Sequence, residues 1–226
     1  MTGGYGGADI LTNCTITVNK GEIVVIVGPN GAGKSTVMKA MLGMIKLREG
    51  QTLLEGKDIS NLSPQDRVSK GMAFVPQSRN VFTGMTVQEN LEMGAHLRDD
   101  DIQETIDQIY DLFPVLKEKR KQSAGELSGG QRQQVAVGRA MMTKPTALML
   151  DEPTAGVSPI VMDELFERII EIKQTGVAVL IVEQNARQAL TIADQGFVLV
   201  NGQNKISGTG TDLLSNPEVR RSFLGG

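Results

Sequence analysis

The stretch GPNGAGKST, Gly28 to Thr36, decides how this chain is read. It satisfies G-x-x-x-x-G-K-[ST]. It also sits where that pattern has meaning, directly after the β-branched run Glu22 to Val27 and ahead of a helical pattern. Glycines in such a turn let successive backbone N–H groups converge on one anion, and the following helix N-terminus adds partial positive charge. Gly28, Pro29, Asn30, Gly31, Ala32, Gly33, Lys34, Ser35 and Thr36 are therefore read as the phosphate-binding loop. Lys34 supplies a point charge for β- and γ-phosphates, and the Ser35 hydroxyl is a ligand for Mg²⁺. The bland alternative, a glycine-rich turn that binds nothing, lacks the strand and helix on either side.

Further along, ALMLDEP, Ala147 to Pro153, is an aliphatic strand ending in two acids. In an open parallel sheet a carboxylate there lies at the edge where ligands bind, so Asp151 is a candidate to hold magnesium and Glu152 a candidate general base for an attacking water. Two acids after a buried strand are common on their own; the loop at Gly28 gives them weight. Ala73 to Val75, Val177 to Val182 and Phe197 to Val200 also read as strands buried on both faces. Val161, Leu165, Phe166, Ile169 and Ile172 recur at helical spacing behind Ser158 and Pro159.

Strand, helix and strand in succession predict an α/β fold with a mainly parallel sheet. Cys14 to Lys20 and Gln51 to Glu55 are expected as antiparallel strands of an edge subdomain. From Thr86 to about Gly138 the strand signals stop. Thr86-Val-Gln-Glu89 has the form of a capping box, and Ile102, Ile106, Ile109 and Phe113 share one helical face. The sequence thus divides into an α/β core of residues 1–86 and 137–226 and an inserted all-helical subdomain, 87–136. The charged runs Asp99 to Asp101 and Lys117 to Lys121 read as solvated helix ends.

Composition narrows the possibilities. With 226 residues, 40% hydrophobic and 22% charged, the chain can bury one sizeable core. Lys plus Arg at 23 against Asp plus Glu at 26 gives a net charge of -3, so no global field favours nucleic acid. Cys14 is the lone cysteine and His96 the lone histidine, which excludes an internal disulfide and leaves too few ligands for zinc. The longest apolar run is far short of the roughly 18 residues of a membrane span, and the start, MTGGYGG, has no signal-peptide pattern. Contact with a membrane is expected only through a partner.

LSGGQ, Leu127 to Gln131, separates the classes of phosphate-loop protein. Ser128 can cap a helix whose first N–H groups, with Gly129, Gly130 and Gln131, make a second anion site. Two phosphate-binding helix ends in one chain suggest two chains sandwiching each nucleotide. A GTPase would be expected to carry Asn-Lys-x-Asp, but Asn19-Lys20 is followed by Gly21-Glu22.

On these motifs the chain resembles, over essentially its whole length, the ATP-binding subunit of ATP-binding cassette (ABC) transporters. The resemblance implies a P-loop ATPase core, head-to-tail dimers, ATP and Mg²⁺. It gives Gln77 in FVPQ a place near the magnesium, beside the contact with membrane subunits, and makes Tyr5 the aromatic that stacks on adenine. The family usually has a further strand before that aromatic, and only four residues precede Tyr5 here; a truncated or misassigned start would weaken adenine stacking and the sheet edge. Gln184 stands where most members have a histidine on the γ-phosphate. Glutamine can hydrogen-bond a phosphate but cannot titrate. The loop TAGVSP, Thr154 to Pro159, departs from the family's S-A-L-D, so the family's cross-subunit contacts are not carried over to Ala155 through Ser158.

VEQNA, the ending SFLGG and NVFTGMTVQENLEMGA together resemble the smaller ATPase subunit of branched-chain (hydrophobic) amino-acid importers. That subgroup implies a second ABC ATPase, two membrane-spanning permease subunits, indirectly a substrate-binding protein, and a place on the cytoplasmic face of the membrane, with no nucleic-acid partner. The ATPase of a lipid or lipopolysaccharide exporter, or a soluble ABC switch protein, remain the alternatives. His96 is expected on the surface or partly packed; Met85 and Met93 fall near the membrane-subunit contact that the resemblance implies, and most of the eleven methionines are expected as core fillers.

Overall fold

The computed structural model describes residues 1–223; the last three residues of the SFLGG ending lie outside the described residues. From the start the elements are β1 (Thr2–Gly3), β2 (Ile23–Val27), α1 (Lys34–Met41), β3 (Leu47–Glu49), β4 (Leu53–Leu54), β5 (Lys57–Asp58), α2 (Pro64–Ser69) and β6 (Met72–Val75). Then come α3 (Val87–Gly94), α4 (Gln103–Leu112), α5 (Pro114–Glu118), a 3₁₀ turn (Ala124–Glu126) and α6 (Gly129–Met141). The remainder is β7 (Ala147–Asp151), α7 (Pro159–Gln174), β8 (Ala178–Val182), α8 (Ala186–Ile192), β9 (Gln195–Val200), β10 (Gln203–Gly208), α9 (Gly210–Ser215) and α10 (Pro217–Phe223).

Six strands form the main sheet in the order β10-β9-β2-β8-β7-β6. Only β10 runs antiparallel to its neighbour. All five residues of β2 are fully buried because both faces of the sheet are covered. Ile23, Val25 and Val27 pack with α3 to α8, while Val24 and Ile26 pack on the opposite side with Val37, Met38 and Ala40 of α1. The period-2 alternation of a strand thus assigns successive residues to two cores.

Between β6 and β7 the regular elements are helices. Thr86 caps α3 through its hydroxyl, which accepts Glu89 N–H, while the Glu89 carboxylate accepts Thr86 N–H, the reciprocal pair that the sequence pattern predicts. Ile106, Ile109 and Phe113 are buried together, and Gly138 of α6 lets Ile109 and Leu91 approach where even a methyl group would meet them at 2.9 and 3.1 Å.

The edge strands are shorter than the sequence suggests. Cys14 to Lys20 forms no ladder. Cys14 exchanges two backbone bonds with Met1, and Thr15 N–H donates to Asn204 Oδ1. Of Gln51 to Glu55 only Leu53–Leu54 pairs, with Lys57–Asp58. The two segments instead line a shared cavity of about 700 Å³. A strand of two residues does precede Tyr5: β1 pairs with β3, and Gly3 bridges to Leu11.

Phe113 is 1% exposed at the join of α4 and α5. Phe113→Ala is expected to cost about 3–5 kcal/mol in urea unfolding, the usual penalty for emptying an aromatic site in a packed core.

Candidate functional site

The parallel sheet delivers the predicted residues to one edge. Strands β2, β8, β7 and β6 run the same way, so Gly28, Gln184, Asp151 with Glu152, and Gln77 all follow their carboxyl ends. At Gly28 a Cβ would lie 2.1 Å from the Leu199 carbonyl oxygen, so only glycine lets β2 leave the sheet beside β9. Gly33 takes φ +97 as the N-cap of α1, turning the loop into the helix. Among the described residues, the backbone N–H groups of Gly33 to Thr36 donate to no protein acceptor, which is the donor set an oxyanion requires.

Lys34 is buried, and its ammonium donates to the carbonyls of Gly28 at 2.8 Å and Pro29 at 3.1 Å, closing the loop on itself. Burial lowers its pKa, while the charges of Glu152 and Asp151 pull it back up. Ser35 Oγ donates to Asp151 Oδ1 at 3.0 Å, joining helix α1 to the end of β7. Burial raises the Asp151 pKa; the Ser35 bond and the charges of Lys39 and Lys34 oppose it. Thr36 is buried under the helix start, and Asn30 and Gly31 are exposed at the loop's tip.

Gln77 Nε2 donates to Glu152 Oε2 at 2.6 Å, which joins the loop after β6 to the residue that follows Asp151. Glu152 holds φ +46, a left-handed conformation that a non-glycine residue keeps only when its surroundings impose it. Gln184 is exposed in the turn after β8. Tyr5 is 51% exposed, in a turn over α1, with Lys39 Nζ 5.9 Å from its ring centre. His96 is exposed just past the end of α3; Met93 is exposed and Met85 half-buried.

Ser128 caps α6 with a reciprocal Gln131 pair, at 3.3 and 3.2 Å. Gly129 is exposed. Gly130 faces inward, where a Cβ would meet Val161 Cγ1 of α7 at 2.2 Å, so helix packing already requires that glycine. Among the described residues no hydrogen bond joins Ser128 through Gln131 to the loop at Gly28.

The donors fit a nucleotide with magnesium. Among the described residues no three His, Cys, Asp or Glu cluster as a metal cage. A hydroxyl and one carboxylate, in contact beside an anion loop, form the partial ligand set that magnesium completes with phosphate oxygens and water. Residue-pattern reasoning missed Glu183. It is 2% exposed and joins the turn after Glu152 to the turn of Gln184, and its only signal was an acid closing an aliphatic strand, as in Leu150-Asp151.

A parallel sheet with an anion loop at one strand end and a paired acid at another defines a P-loop nucleoside triphosphatase. The chain belongs to the ABC transporter family, whose model matches residues 11–155, and it is an ATP-hydrolysing, nucleotide-binding protein of that family. It is 45% identical over 223 residues to the high-affinity branched-chain amino acid transport ATP-binding protein BraG of Pseudomonas aeruginosa, covering 98% of this chain and 96% of that one. It is 38% identical to the probable branched-chain amino acid transport ATP-binding protein LivF of Archaeoglobus fulgidus, covering 100% and 96%. Its structure is similar, at a TM-score of 0.87 and 32% identity over 100% of this chain and 96% of the other, to the ADP conformation of an ATP-binding cassette of an ABC transporter. Among the described residues no helix is long and apolar enough to cross a membrane.

A raised pKa means that the fold disfavours the charged Asp151, a cost fully present above the raised value, declining below it and gone below the ordinary carboxylate value. Asp151→Asn keeps the Ser35 acceptor, so it is expected to raise the melting temperature of the nucleotide-free chain at neutral pH. The gain should hold steady above the raised value and shrink as the pH is lowered through it toward the ordinary carboxylate range.

Proposed function

We propose that this chain is the ATP-hydrolysing subunit that energises an importer of branched-chain (hydrophobic) amino acids. The observation that carries the substrate class is the 45% identity to BraG along nearly the whole of both chains. On this reading it works at the cytoplasmic face of the membrane with two permease subunits and a second ABC ATPase, fed by a substrate-binding protein, and it binds no nucleic acid. The helical stretch 87–136, with α6 continuing to Met141, is proposed as a subdomain inserted in the core of residues 1–86 and 137–226.

The triphosphate lies on Gly28 to Thr36, held by the free N–H groups of Gly33 to Thr36. Lys34 exchanges its two carbonyl acceptors for β- and γ-phosphate oxygens. Ser35, Asp151 and Gln77 hold magnesium, which neutralises charge on the phosphate oxygens when bound. Glu152 takes a proton from water as that water's oxygen bonds to the γ-phosphorus; the bond from phosphorus to the β-bridging oxygen breaks, and ADP and phosphate leave. Gln77 is already bonded to the Glu152 carboxylate and orients it. Gln184 donates its amide to the γ-phosphate, and Tyr5 stacks on the adenine. Ser128, Gly129, Gly130 and Gln131 act on ATP held by the facing subunit, so that ATP closes a two-subunit sandwich and hydrolysis reopens it, driving the membrane subunits.

Glu152→Gln is expected to lower ATP turnover by at least about 10²-fold with ATP affinity preserved, as loss of a general base requires; unchanged turnover would remove Glu152 from that role. The substrate class is tested by isolating the tagged chain from its host's membranes in mild detergent and identifying what accompanies it by mass spectrometry. Two permease subunits, a second ABC ATPase and uptake of branched-chain amino acids that depends on this chain are expected. Lipid-export components, or soluble partners alone, would overturn the assignment and leave the ATPase chemistry intact.

A further inference from the structure

Two carboxylates are buried among the described residues, Asp151 and Glu183, and the hydrolysis scheme uses only the first. Removing a carboxylate from water is costly unless its oxygens find donors. Glu183 has found four. Its Oε1 accepts the Thr154 backbone N–H at 3.0 Å and the Thr154 hydroxyl at 2.7 Å. Its Oε2 accepts the backbone N–H groups of Gln184 at 3.0 Å and Asn185 at 3.4 Å.

Those donors belong to the two turns that carry the hydrolysis residues. Thr154 lies two residues beyond Glu152, whose left-handed φ of +46 must be imposed from outside. The near end of that turn is tied to β8 by Glu152 N–H donating to the Val182 carbonyl at 2.8 Å. The far end is tied by Thr154 to Glu183, the residue after Val182. The second carboxylate oxygen then fixes the turn of Gln184. One side chain therefore spans two loops that follow different strands.

We propose that Glu183 is a positioning residue for hydrolysis: its carboxylate clamps the turn of Glu152 to the turn of Gln184 and holds Glu152 in the strained conformation that aims its side chain. A neutral side chain cannot replace it, because an amide turns one face of NH₂ toward N–H or O–H donors that need an acceptor. Burial raises the Glu183 pKa, and the bonds from Thr154, Asn185 and Gln184 oppose the rise.

The inference rests on Glu152 as the base, and the experiment separates the two. On the full chain, Glu183→Gln is expected to lower kcat for ATP at least about 10-fold with KM and ATP affinity within about twofold, since misplacing a reacting group by around an ångström costs turnover before binding. Thr154→Val, which removes one of the four donors, should lower kcat less, and Thr154→Ser, which keeps the hydroxyl, should restore it. The double variant Glu183→Gln with Thr154→Val should be no slower than Glu183→Gln alone, because both break one link. Hydrogen exchange of the Thr154 amide should quicken in Glu183→Gln and in Thr154→Val. With Glu152→Gln inactive, a folded Glu183→Gln chain turning over normally, or losing ATP affinity in step with kcat, would overturn the clamp. Should Glu183→Gln fail to fold, normal kcat in Thr154→Val would do the same. An active Glu152→Gln chain would instead defeat the base assignment.

Discussion

The pairing of β7 with β8, with Asp151 opposite Val182, is the contact on which the rest of the site depends. It sets where the second strand end lies relative to the phosphate loop, because β8 also pairs with β2. A slip of one residue in either ladder would turn every side chain to the other face of a sheet buried on both sides, so the two cores enforce the register. Ser35 reaches Asp151 across 116 residues of sequence because that register holds. The turn at Glu152 inherits it directly, through its N–H on Val182.

The site is assembled at a cost to the fold. Lys34, Asp151 and Glu183 are charged groups in a poorly solvated place, and burial shifts each pKa toward the neutral form. Local bonds offset part of this. Lys34 turns to two loop carbonyls, Asp151 to the Ser35 hydroxyl, and Glu183 to four donors. The first two partnerships use the groups proposed to hold phosphate and magnesium, so ligand binding exchanges acceptors within a preformed shell. The third joins groups of the protein alone.

Much of this was legible in the sequence because it is written locally. The phosphate loop, the acids after β7 and the capping box at Thr86 each lie within a few residues, and buried strands announce themselves by composition. What needs a distant partner was not legible. Nothing near Cys14 to Lys20 says that the segment will line a cavity with Gln51 to Glu55 instead of forming a strand. The Gln77–Glu152 bond joins residues 75 apart. Gly130 read as room for an anion, yet Val161 of α7 accounts for the missing side chain. Glu183 carried a faint signal, an acid at a strand end, but its role depends on Thr154, 29 residues earlier.

On the proposed function, the carboxyl edge of the sheet, from Gly28 to Glu152, is one ATP site completed by the Ser128 to Gln131 turn of a second subunit. A crystal structure of the Glu152→Gln chain grown with ATP and Mg²⁺ tests it most directly. The triphosphate is expected on Gly28 to Thr36 with Lys34 moved from its carbonyls to the phosphates, the metal beside Ser35 and Asp151, and Ser128 of a facing chain on the same nucleotide. Nucleotide bound away from this loop, or bound there with Ser128 of every chain facing solvent in the ATP state, would contradict it.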